Sequence, residues 1–161
     1  MYEKNYGRIV CTSSGSGIWG NFGQANYGAA KTAMVGFMNV LALEGASHNI
    51  RINCLAPGAA TRMTATVPGR PPINVDDPPP ERAPSLVTPA VLYMCSEDAP
   101  TGKIFQAMGG RFSQAAMYTN PGVALGTEAS FETFCDNLST INDMSAAEDG
   151  VAKRARQRSR G

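Results

Sequence analysis

Charge of one sign, histidine and long hydrophobic runs are all scarce in these 161 residues. Fourteen Lys and Arg stand against thirteen Asp and Glu, for a formal net charge of +1. Five of the basic residues (Lys153, Arg154, Arg156, Arg158 and Arg160) crowd the last nine positions, which leaves nine basic against thirteen acidic side chains in the body. A body about four charges negative offers no basic face for nucleic acid, and the short basic terminus, 148–161, reads as a disordered tail. No run approaches the ~20 apolar residues of a membrane span, and Met1-Tyr2-Glu3-Lys4-Asn5 does not read as a signal peptide. The one histidine, His48, and four scattered cysteines (Cys11, Cys54, Cys95 and Cys135) include no C-x-x-C pair. One histidine cannot supply a zinc site with these cysteines, and the pattern favours buried free thiols of a reducing compartment, the cytoplasm, over a disulfide framework. His48, at the expected end of a helix, reads as structural.

What remains is periodic. Arg8 to Ser13 predicts a buried strand, followed by Thr12-Ser13-Ser14 and a Gly-rich loop. Apolar residues at intervals of three and four (Ala29, Ala30, Ala33, Met34, Phe37, Met38, Leu41, Ala42) predict a long helix from Asn26 to about Ser47. Its apolar face would pack on the sheet or on a partner subunit. Ile50 to Leu55 predicts a second strand, ending in Ala56-Pro57-Gly58. Thr88, as cap, and Pro89, in the first turn, predict a helix to about Ser96; Lys103 to Met108 predicts a third strand, closed by Gly109-Gly110. Strands alternating with helices imply an α/β fold with a parallel sheet. Between the second strand and second helix, eight of the eleven prolines lie from Pro68 to Pro89. Such a stretch cannot form a regular helix and predicts an extended loop.

The chemistry gathers at Tyr27-Gly-Ala-Ala-Lys31, thirteen residues beyond Ser14. Side chains four apart share a helix face, so a phenol and an ammonium stand together with a hydroxyl on the approach. A free phenol titrates at about 10, and a neighbouring cation favours its ionised form. Gly15-Ser-Gly17-Ile-Trp-Gly20 also satisfies G-x-G-x-x-G after a strand, yet the next acid, Glu44, falls inside the Tyr27 helix rather than at the end of a second strand. The dinucleotide fingerprint is therefore rejected, and the glycines are expected to bend the backbone beside Ser14.

The run Gly7 to Lys31, GRIVCTSSGSGIWGNFGQANYGAAK, resembles the Ser-Tyr-Lys site of the short-chain dehydrogenase/reductase family in order and spacing. Asn53-Cys-Leu-Ala-Pro57-Gly58 resembles that family's strand and Pro-Gly turn, and Thr101-Gly-Lys-Ile-Phe105 with Gly109-Gly110 its last strand. The wording around Gly17–Tyr27 and Thr61–Thr64 is similar to the 3-hydroxyacyl-CoA dehydrogenase domain of multifunctional β-oxidation enzymes. The resemblance covers roughly 1–147, and it makes 64–87 a substrate-binding flap, with a plain Pro-rich excursion as the alternative. It implies a truncated Rossmann-like sheet, the last three strands of a doubly wound fold. The half that binds the cofactor pyrophosphate would precede Met1.

The resemblance implies catalysis by Ser14, Tyr27 and Lys31, and cofactor contacts from Tyr27, Lys31, Pro57, Gly58 and Thr61, without metal. Thr61 stands four after Pro57, where the family more often has five. The cofactor is NAD or NADP, with NAD ahead. The substrate is a hydroxyacyl thioester or another secondary alcohol, and the chain is expected to form a homo-oligomer. Two function classes stay open: an oxidoreductase, and a catalytically inactive fragment that retains association surfaces.

Overall fold

The computed structural model describes residues 1–65 and 72–158. Contacts divide the chain into two compact units, 1–115 and 116–161.

The first unit is built on a four-stranded sheet in the order β1 (Gly7–Thr12), β2 (Ile50–Gly58), β3 (Ile104–Met108), β4 (Arg111–Ala115). β1 and β2 run parallel from Gly7↔Ile50 to Thr12↔Leu55, and β2 and β3 from Cys54↔Ile104 to Gly58↔Met108. The expected α/β architecture with three parallel strands is present.

The fourth strand is an addition. Gly109 and Gly110 adopt φ of +58° and +73°, the left-handed pair that a two-residue hairpin turn requires, and β4 folds back antiparallel on β3. A Gly-Gly pair after an apolar run is itself a hairpin signal.

Two helices follow β1: α1 (Gly15–Trp19) and α2 (Ala25–Glu44). The Gly-rich loop of the sequence reading thus contains a five-residue helix, whose N-cap is Ser14, with its side chain accepting from Ser16 N. The glycines argued against a helix there; the serine cap was the opposing signal. α2 buries Val35, Met38 and Ala42 with Ile52, Cys54, Ile104 and Ala115 on one face of the sheet. Its Phe37 and Val40 are exposed, so the apolar residues form two stripes, of which the sheet covers one.

After β2 come the short helix α3 (Arg62–Ala65) and, beyond the Pro-rich stretch, α4 (Thr88–Cys95). Residues 66–71 of the expected flap lie outside the described residues. Of the remainder, Pro80–Arg82 and Pro84–Val87 form 3-10 turns, and Ala60 N donates to Arg82 O. The second of these turns runs directly into α4, so Thr88 is already helical and makes no side-chain cap; Pro89 sits in the first turn as expected. α4 buries Ala90 and Met94 with Leu55 and Ala107 on the opposite face of the sheet.

Two arginines close the far end of α4. Arg8, its side chain 5 % exposed, donates to Ser96 O and Asn49 O, with its guanidinium over the Tyr6 ring. Arg51 donates to Glu97 O and Ala99 O. Cations satisfy the carbonyls that a helix C-terminus leaves unpaired. His48, in a 3-10 turn after α2, packs edge-on against Tyr2 at 4.6 Å.

The second unit contains a two-stranded antiparallel ladder, β5 (Tyr118–Thr119) with β6 (Glu148–Asp149), and three helices: α5 (Phe131–Asp136), α6 (Leu138–Ile141) and α7 (Gly150–Arg158). The basic terminus, expected as a disordered tail, is helical over Gly150–Arg158; 159–161 lie outside the described residues.

Candidate active site

Parallel strands of an open α/β sheet deliver their loops at the carboxyl edge, where ligands bind. Ser14, Pro57 and Gly58 all stand at that edge. β1 ends at Thr12, and Ser13 N still donates to Leu55 O at 2.7 Å, so Ser14 leaves the sheet beside the last turn of β2.

Tyr27 and Lys31 lie on the first turns of α2, with Lys31 Nζ 5.8 Å from the Tyr27 ring centroid. Both are half-buried. Lys31 Nζ donates to Thr12 O at 3.0 Å, and Ser13, 1 % exposed, donates through Oγ to Lys31 O at 2.9 Å. These two bonds join α2 to the end of β1 at the two residues that lead into Ser14. The sequence reading passed over Ser13, whose signal is a serine in a strand otherwise reading as buried: a hydroxyl placed there needs a partner.

Glycine makes the close approach of α1 and α2 possible. A Cβ on Gly17 would lie 2.7 Å from Lys31 Cβ and 2.8 Å from the Lys31 carbonyl carbon. The Thr32 hydroxyl meets Gly17 O and Gly28 O at the same crossing. The loop beyond α1 closes on Gln24, whose Oε1 accepts from Ser16 Oγ at 2.7 Å and Asn21 Nδ2 at 3.0 Å.

The donor inventory is informative. Lys31 carries three N–H donors, and Thr12 O takes one. Ser14 Oγ accepts from Ser16 N at 3.2 Å and keeps its proton to donate. Tyr27 engages through its backbone N, which donates to Asn26 Oδ1, while its hydroxyl has no partner among the described residues. A group of uncommitted O–H and N–H donors suits an oxygen-bearing ligand.

The remaining expected residues sit as follows. Gly58 is overlaid by Met108: a Cβ there would lie 2.6 Å from Met108 Cγ and Sδ. Pro57, opposite Ala107 in register, is exposed. Thr61 and Thr64 exchange hydrogen bonds at the start of α3, Thr61 N to Thr64 Oγ1 and Thr64 N to Thr61 Oγ1. Asn53, fully buried, donates to Pro100 O and accepts from Lys103 N, which anchors the approach to β3. Cys11 and Cys54 face each other in register, and burial pushes both thiols up, Cys54 to about 12. Among the described residues no cluster of His, Cys, Asp or Glu could hold a metal.

Residues 1–70 match the model of the short chain dehydrogenase family. A short-chain type dehydrogenase/reductase of Mycobacterium tuberculosis is 42 % identical over 147 residues, which are 91 % of this chain and 49 % of that protein. The chain belongs to the short-chain dehydrogenase family. The peroxisomal multifunctional enzyme type 2 of Drosophila melanogaster is 38 % identical over 153 residues, 92 % of this chain and 25 % of that protein. The full-length structure of that fly enzyme superposes with a TM-score of 0.73 at 31 % identity, covering 99 % of this chain and 29 % of its own. This member of the short-chain dehydrogenases thus spans about half, or less, of the length of these relatives. Their common oxidoreductase character, with nicotinamide cofactors and small-molecule substrates, is that of the family. Among the described residues, no helix is long and apolar enough to cross a membrane.

Proposed function

We propose that Ser14, Tyr27 and Lys31 are the catalytic residues of an oxidoreductase acting on a secondary alcohol, with a 3-hydroxyacyl thioester as the first candidate. The observation that carries this reading is the Lys31 bond to Thr12 O, which holds the ammonium beside the Tyr27 ring and leaves two N–H donors uncommitted among the described residues. Those donors fit the hydroxyls of a nicotinamide ribose, and NAD is proposed ahead of NADP. When bound, the nicotinamide accepts or returns the hydride.

The chain's own residues manage the proton. Ser14 Oγ–H donates to the substrate oxygen and orients it. Tyr27 Oη takes the hydroxyl proton as the alcohol is oxidised and returns it in the reverse direction. The Lys31 charge stabilises the phenol oxygen while the proton is away. Pro57, Gly58 and Thr61 are proposed to border the cofactor. A reducing compartment, the cytoplasm, agrees with four free cysteines.

A second reading is an inactive chain that retains association surfaces. It is supported by the exposed Phe37 and Val40 on α2, which also favour a homo-oligomer. Calorimetric titration with NAD and NADP separates the two. Saturable binding, followed by oxidation of a 3-hydroxyacyl thioester that falls by about 10²-fold or more in Tyr27→Phe with binding retained, supports the enzyme. Absence of binding by a folded chain supports the second reading.

A further inference from the structure

We infer that Trp19 and Gln106 are positioning residues that hold Ser14 in place through α1. The inference rests on the reading of Ser14 given above. A helix of five residues has too few internal hydrogen bonds to persist alone, so its position must come from its ties. Three ties are present, one for each part of the helix. Ser14 caps the first turn, Gly17 seats the middle against Lys31 and Thr32, and Trp19 secures the end.

The last tie reaches outside the motif. Trp19 Nε1 donates to Gln106 Oε1 at 3.0 Å, across 87 residues of sequence. Gln106 Nε2 in turn donates to Ser113 Oγ on β4 at 3.1 Å. Indole nitrogen can only donate, so the amide oxygen must face Trp19 and the amide nitrogen must face the serine. The orientation of Gln106 is therefore set by chemistry. Register places Gln106 between Ala56 on β2 and Ser113 on β4. Trp19 is 67 % exposed, so burial of its ring is a small part of what holds it; the directional bond to β3 is the part that fixes α1. Beyond it, Gly20 at φ +81° turns the chain away toward Gln24.

The test uses the purified 161-residue chain and its single tryptophan. Amide hydrogen exchange is measured at Ser16, whose N–H bonds to Ser14 Oγ, and at Ile52 and Cys54 of β2 as the control. Gln106→Leu and Trp19→Phe each remove the tie and should raise exchange at Ser16 by about ten-fold while β2 is unchanged. Gln106→Glu keeps the acceptor and should return Ser16 close to the parent. Trp19 emission should move to longer wavelength in Gln106→Leu, where water replaces the amide, and move back in Gln106→Glu. Unchanged exchange at Ser16, or an equal rise at β2, overturns the inference. Where the parent oxidises a hydroxyacyl thioester, Gln106→Leu should lower kcat with NAD binding retained, and an unchanged kcat overturns it too. A parent that binds no NAD counts against the proposed function alone, because exchange and emission still decide whether Ser14 is held this way.

Discussion

The two units of the chain are held together by different means. Among the described residues, the buried apolar side chains, from Val35 to Ala115, lie in the first unit, and two clusters of them cover the two faces of one sheet. Among the described residues of 116–158 none is fully buried, and Phe131, Phe134, Leu138 and Met144 are exposed. That unit relies on polar contacts, local caps among them. Ser130 and Thr133 form a capping box at the start of α5, and Asn120 Nδ2 donates to Ile141 O and Asp143 O. Asp149 Oδ1 accepts from Val151 N and Ala152 N at the start of α7. Burial makes a unit cooperative and sensitive to volume; capping makes it sensitive to single hydroxyls and carboxylates. The candidate site belongs to the first kind.

The largest effect that would test this contrast is a cavity in the sheet core. Ile52→Ala, fully buried between α2 and the sheet, should lower stability by about 2–5 kcal/mol in denaturant titration. Phe131→Ala, at the surface of the second unit, should stay within about 0.5 kcal/mol. Equal losses would remove the distinction.

Gly17→Ala comes next. The new methyl meets Lys31 backbone and Cβ rather than a mobile side-chain end, so overpacking of about 1–3 kcal/mol outweighs the helix-propensity gain of up to about 1 kcal/mol. Gly58→Ala is the comparison at the same edge of the sheet: two of its three close contacts, Met108 Cγ and Sδ, belong to an exposed side chain that can swing aside, and only Met108 Cβ at 2.9 Å requires β3 to give. Thermal melts of the two variants should rank Gly17→Ala below Gly58→Ala.

Ser130→Ala removes a cap in the second unit and should cost about 1 kcal/mol locally. Exchange protection should fall in α5 and remain in β2; loss in β2 would show that the two units melt as one.

A further effect is alkaline. The Cys54 thiol, pushed up to about 12 from an ordinary 9.0, stays protonated in the folded chain after it has ionised in the unfolded one. The unfolded state then binds fewer protons, so this contribution to stability is present below pH 9 and falls between 9 and 12. Cys54→Ala should make the alkaline decline shallower. The exposed Cys95 should react with iodoacetamide at pH 8 while Cys54 does not.

The parts legible in the sequence were those with local rules. Tyr27 and Lys31 are four apart on a helix whose apolar spacing announces it, and Ser14 follows a β-branched strand. β2 and β3 were read from their apolar runs, and Pro89 from its place in a first turn. What escaped depends on partners distant in sequence. Ser13 owes its burial to Lys31, and Gln106 its orientation to Trp19 and Ser113. α1 was missed because propensity weighs three glycines in seven residues against a helix, while the fold sets one of them against α2. Thr88 lost its expected capping role because the turn before it is already helical in sense.

The parallel pairing of β1 with β2 also has a consequence for synthesis. Gly7 bonds beside Ile50, 43 residues later in the chain, and Thr12 beside Leu55. At about 5–20 residues per second, Ile9, Val10 and Cys11 leave the ribosome roughly 2–9 seconds before their partner strand exists. α2 needs no such wait, since helix formation takes about a microsecond once its residues have emerged. The nascent chain therefore carries β1 without β2 for several seconds. During that interval the edge of residues 7–12 that faces β2 in the fold is open to pairing with another chain.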